Sequence, residues 1–255
     1  MSRLADAFKQ KPALIGYVMA GDPDTTHHLA YARAVMAGCD ILEIGIPFSD
    51  PVADGPTIER AAVRALAGGA RLADALSLAK ELRGRESEKP IVLMTYYNPV
   101  FRYGVERFAR ACREVGVDGV ILPDVPLEES GAAAGPLARE GIDLIQLASP
   151  ASPPERLARL AKATRGFLYV VSSFGVTGAR VGMAPETREL VGRAAAACRG
   201  VVPFAVGFGV SDASHVRALA EAGADGVVVG SAIVSRIADG ETPEKVGAFV
   251  RGLRG

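Results

Sequence analysis

The feature that most constrains this chain is a phrase that occurs four times. Gly38-Cys39-Asp40 leads into Ile41-Leu42-Glu43-Ile44-Gly45, Gly116-Val117-Asp118 into Gly119-Val120-Ile121-Leu122, Gly141-Ile142-Asp143 into Leu144-Ile145-Gln146-Leu147, and Gly223-Ala224-Asp225 into Gly226-Val227-Val228-Val229-Gly230. Each phrase reads as the end of a helix, a stop and a strand. Glycine just past a helix takes positive φ at little cost and lets the last carbonyls find partners. The apolar run that follows suits a strand covered on both faces. Apolar runs without this opening lie at 13–18, 90–96, 167–172 and 201–206, which makes eight candidate strands.

Between them, helical periodicity runs through 29–36, 72–82, 105–115, 155–163, 189–198 and 216–221. Ser152-Pro153 and Ser211-Asp212 read as helix starts with capping side chains. Strand and helix alternate without a composition break, so the expectation is an α/β fold: one domain over 1–255, a single (β/α)8 TIM barrel with an N-terminal helix and extra short helices. An open doubly wound sheet is the competing architecture, but no Gly-x-Gly-x-x-Gly follows the first strand.

Composition removes several functions. Lys plus Arg and Asp plus Glu both number 29, and no basic run carries interleaved aromatics, so nucleic acid is not the expected partner. The longest charge-free stretch, 166–179, is too short and too polar to span a bilayer. Cys39, Cys112 and Cys198 are far apart and read as small buried hydrophobes in a cytoplasmic protein. The apolar residues after Lys11 read as the first strand, since Gly21-Asp22-Pro23 stands where a signal peptide would carry small residues for cleavage.

In a barrel of this kind the loops after the strands build the site. Side chains alternate along a strand, so if Leu42 and Ile44 face the helices, Glu43 points inward, where loss of water raises its pKa towards the range useful for proton transfer. A structural role for Glu43, paired with an interior cation, is the alternative, and no strand interior supplies that cation. In the next loop Asp54 either belongs to an ordinary Asp-Gly-Pro turn or leans over the barrel mouth as an anionic acceptor. Three later loops are rich in small residues: Phe174-Gly175-Val176-Thr177-Gly178, Gly207-Phe208-Gly209-Val210-Ser211 and Gly230-Ser231-Ala232. Together with a helix start they suit a phosphate, because small residues let backbone amides approach its oxygens.

The six lysines fall in helices or before strands, which excludes a Schiff base at the mouth, and His27, His28 and His215 lie in or beside helices as surface residues. No His/Asp/Glu cluster has ligand spacing, so no metal site is expected. Carbon–carbon cleavage here would need a substrate that accepts the electrons itself.

The stretch Leu42 through Ile58, with Tyr17 to Pro23, Asn98-Pro99-Val100, Leu122-Pro123-Asp124-Val125-Pro126, Gly175-Val176-Thr177-Gly178, Gly207-Phe208-Gly209 and Gly230 to Val234, resembles the tryptophan synthase alpha family. The resemblance implies a lyase that cleaves indole-3-glycerol phosphate by a retro-aldol reaction to indole and D-glyceraldehyde 3-phosphate. It implies Glu43 as general acid/base, Asp54 as acceptor of the indole N–H, and Tyr169 as an auxiliary residue that orients the substrate. Tyr17 and Ile121 would line the indole pocket, and Thr177, Gly178, Gly207, Phe208, Gly209, Gly230 and Ser231 would hold the phosphate. It further implies no cofactor in this chain, pyridoxal phosphate in a partner beta chain, and an alpha2beta2 assembly with indole passing between subunits. Met19, where many relatives have Thr, and Ser172-Ser173-Phe174, where they have Ser-Arg, depart from the family pattern. The alternatives are a catalytically silent phosphate-binding barrel that regulates a partner, for which a lost carboxylate is expected, and another phosphosugar barrel enzyme, for which a strand-end His or Lys is expected.

Overall fold

The computed structural model describes residues 2–84, 88–172, 183–207 and 209–255. Its strands are β1 Ala13–Met19, β2 Ile41–Gly45, β3 Ile91–Met94, β4 Gly119–Ile121, β5 Asp143–Ile145, β6 Leu147–Ala148, β7 Leu168–Val171, β8 Phe204–Gly207 and β9 Gly226–Val229. All pair in parallel, in the order β5-β4-β3-β2-β1-β9-β8-β7-β6. The two ends of that order, β5 and β6, flank Gln146, so one stretch of chain closes the ring into a (β/α)8 barrel. The expected fifth strand is therefore interrupted: the Gln146 amide leaves the ladder and donates to Thr164 Oγ1 at 2.9 Å.

The helices are α1 Arg3–Ala7, α2 His28–Gly38, α3 Pro56–Ala67, α4 Leu72–Arg83, α5 Tyr97–Tyr103, α6 Val105–Val115, α7 Gly131–Arg139, α8 Pro154–Ala163, α9 Pro185–Cys198, α10 Ala213–Glu221, α11 Ser231–Ala238 and α12 Pro243–Gly252. Each of the six periodic stretches lies in or on one of them. Among the described residues no helix is long and apolar enough to cross a membrane.

Alternation along the strands sorts the core. Leu42, Ile44, Leu93, Val120, Val170 and Val206 face the helices, while Ile15, Ile41, Val92, Ile121, Ile145 and Val228 fill the barrel. Leu4 of α1 and Phe8 just past its end close the floor, the latter with its ring 5.4 Å from that of Phe167.

The recurring aspartates sit at this floor, where three of them do the same thing. Asp40 accepts from the Leu14 amide at 2.7 Å, Asp118 from Ile91 at 2.8 Å and Asp225 from Phe204 at 3.1 Å. Each thereby satisfies the start of the neighbouring strand and also holds a cation: Arg254, the pair Arg3 and Arg83, and Lys11 respectively. Asp143 differs. Among the described residues it receives no such amide, and burial pushes its carboxyl up against the opposing pull of Arg165.

The glycines ahead of them divide as well. Gly116, Gly141 and Gly223 have φ of 78°, 73° and 103°, as a helix stop requires, but Gly38 stays helical. A methyl at Gly38 would come within 2.9 Å of Val250 on α12, so close helix packing is what needs a glycine there. Asp212 caps α10 through the Ser214 and His215 amides. Ser152 makes no cap to α8; its hydroxyl instead accepts from the Ser149 amide at 3.1 Å. His28 is no plain surface residue, since it is half-buried and its Nδ1 accepts from the Gly21 amide at 3.0 Å.

Candidate active site

Glu43 lies on β2 between Tyr17 of β1 and Val92 of β3. It is 1% exposed, and among the described residues neither carboxyl oxygen has a hydrogen-bond partner. Burial, reinforced by the charge of Asp54, pushes its pKa up to about 8. The group therefore carries a proton at neutral pH and has two oxygens free to exchange it.

The loop between β2 and α3 returns Asp54 to the same cavity, a chamber of about 530 Å³ at the C-terminal ends of the strands. Two contacts fix this loop. Tyr96 follows β3, and its hydroxyl accepts from the Ala53 amide at 3.0 Å and donates to the Asp54 carboxyl. Arg64 of α3 grips the buried Asp22 with two hydrogen bonds of 2.8 and 3.0 Å, which ties the helix behind Asp54 to the loop after β1. Burial raises the Asp54 pKa, and the Tyr96 hydrogen bond opposes that rise.

Two tyrosines stand beside Glu43, each admitted by a glycine. A methyl at Gly45 would overlap the Tyr17 hydroxyl, and one at Gly207 would overlap that of Tyr169. Burial and the nearby carboxylates push both phenols well up, so both stay protonated. Tyr17 also donates weakly to Met19 Sδ at 3.9 Å, so Met19 packs at the barrel top, against the tyrosine.

The same chamber is also walled by Gly209, Gly230 and Ser231. Gly209 has φ 77°, and Gly230 precedes the first residue of α11, Ser231. The first amides of a helix lack intrahelical partners and carry partial positive charge, so this wall suits an anion. Gly207 is not part of it; its carbonyl instead accepts from the Ser172 amide and hydroxyl at 2.9 and 3.0 Å. Ile121 lines an adjoining chamber of about 460 Å³, mostly apolar, which shares Met94, Tyr169 and Val171 with the first. Thr177, Gly178 and Phe208 lie outside the described residues. Among the described residues, no three His, Cys, Asp or Glu side chains converge as a metal site.

A buried acid sharing its chamber with a second carboxyl and the first amides of a helix, beside an apolar chamber, is suited to moving a proton on a flat ring attached to an anionic tail. The family model described as tryptophan synthase alpha chain matches residues 4–250. The chain belongs to the tryptophan synthase alpha family. Among its relatives in that family, the alpha chain of Picosynechococcus is 46% identical over 239 residues, covering 92% of this chain and 89% of the relative. That of Methanosarcina acetivorans is 43% identical over 258 residues, covering 100% and 92%. A chain from the solved tryptophan synthase α2β2 complex of Pyrococcus furiosus superposes with a TM-score of 0.89 at 43% identity, covering 95% of this chain and 97% of that one.

Family motifs and strand alternation reached Glu43, Asp54, Tyr169, Tyr17 and Ile121 but missed Tyr96. A signal existed: Tyr96 lies two positions beyond Met94 and four beyond Val92, both inward, so the same parity points it to the mouth.

Proposed function

We propose that this chain catalyses the alpha reaction of tryptophan biosynthesis with Glu43 as the proton carrier. Indole-3-glycerol phosphate binds with its ring towards Ile121 and Met94 and its phosphate at Gly209, Gly230 and Ser231. Glu43, protonated, gives its proton to ring carbon C3. The ring becomes cationic, and the Asp54 carboxylate stabilises it through the indole N–H. The Glu43 carboxylate then takes the proton from the side-chain hydroxyl. As that oxygen becomes the aldehyde carbonyl, the bond from C3 to the side chain breaks and its electron pair restores neutral indole. Glyceraldehyde 3-phosphate leaves, and Glu43 ends as it began. Tyr169 borders both chambers and orients the substrate. The single observation that carries this reading is a Glu43 carboxyl buried, without a partner among the described residues, in the chamber that Asp54 also lines. A silent regulatory barrel would have no use for that pair of acids.

The solved Pyrococcus furiosus assembly is described as a mutually activating α2β2 complex. By the same logic this chain, folded as one domain over 1–255, works in the cytoplasm as the alpha partner of a beta chain that carries pyridoxal phosphate. Its own chemistry needs no cofactor. The decisive experiment is indole release from indole-3-glycerol phosphate, with and without a beta chain. Release should be slow from the isolated chain and faster in the complex. Glu43→Gln should lower kcat/KM by about two to four orders of magnitude while inorganic phosphate still binds. A near-wild-type rate for that variant would remove Glu43 from the mechanism.

A further inference from the structure

The chamber that holds Glu43 is walled on one side by Pro150, which belongs to a tight turn, Ser149 to Ser152, after β6. Ser149 and Ser152 face the neighbouring apolar chamber, so this one turn borders both. Proline has no amide to anchor it, and among the described residues the serine contacts close the turn upon itself: the Ser152 amide donates to the Ser149 carbonyl and the Ser149 amide to Ser152 Oγ, at 3.0 and 3.1 Å. What ties the turn to the body is Arg193 on α9. Its two terminal nitrogens donate to the Ser152 carbonyl at 3.0 Å and to the Pro150 carbonyl at 3.1 Å, while Nε is buried with Glu189 3.9 Å away. A planar guanidinium holding two carbonyls two residues apart fixes the orientation of a turn as well as its position.

We infer that Arg193 is a positioning residue for substrate binding, holding the Pro150 turn against the two chambers. The inference rests on the lyase reading of the site. Arg193 touches neither carboxylate, so its loss should weaken binding and spare the chemical step.

Arg193→Met keeps the stem and removes both donors. In the full chain it should raise KM for indole-3-glycerol phosphate about three- to tenfold with kcat within about twofold, and Arg193→Lys should fall between it and wild type. A wild-type KM in Arg193→Met, with only the melting temperature lowered, would reduce Arg193 to a stabilising role and overturn the inference. Should Arg193→Met not fold, Arg193→Lys decides by the same criterion: a raised KM at wild-type melting temperature supports the inference, a wild-type KM overturns it. A wild-type chain that releases no indole would sink the lyase reading alone. Affinity for indole itself, followed by its fluorescence in a chain with no tryptophan, would still decide Arg193: weaker in the Met variant if the turn is held by it, unchanged if not.

Discussion

Glu43 is a carboxyl whose proton is held by burial and by the charge of Asp54. With its pKa moved from 4.5 to about 8, the folded chain keeps a proton that the unfolded chain loses between those values. Stability from this group is full below about 4.5, declines as pH rises through that window, and is level above it. Glu43→Gln, neutral throughout, should therefore gain melting temperature relative to wild type as pH goes from 5 to 9, and the gain should flatten above about 8. A difference that stays constant would mean that the carboxyl finds a counter-charge in solution. On the proposed role of Glu43 as proton carrier, kcat/KM should fall as pH climbs past about 8, following the free enzyme.

At the scale of elements, the aspartates that open the strands explain why the recurring phrase exists. Removing one that holds a neighbouring amide and two guanidinium groups takes away three hydrogen bonds to a carboxylate at once. Asp118→Ala should cost about 2–3 kcal/mol in a urea titration. Asp143→Asn, at a position that supports no amide, should stay within about 1 kcal/mol. Equal losses would contradict the division between them. The phrase itself was legible in the sequence, as was the inward face of β2, because both depend on neighbours a few residues apart. What each aspartate grips was not legible: Asp40 reaches back to Leu14, and Asp118 takes Arg3 from 115 residues earlier in the chain. Gly38 was misread for the same reason, since Val250, which needs the space, lies on the last helix. Tyr96 on Asp54 and Arg193 on the Pro150 turn are likewise contacts between elements, and no local pattern announces them.

Taken as a molecule, the barrel separates its tasks by end. Paired charges hold the floor, where Asp40, Asp118 and Asp225 meet their arginines and lysine, and the unpaired acid stands at the mouth. The family motifs found the mouth because its loops carry distinctive residues. They were silent on how the ring closes, which depends on a single residue stepping out of line. That step has a consequence of its own. A ring of evenly bonded staves resists swelling anywhere, but one stave here is cut at Gln146, whose side chain borders the apolar chamber. Deuterium should enter the amides of 143–148 sooner than those of 13–19, marking the place where the wall yields first to admit a bulky guest.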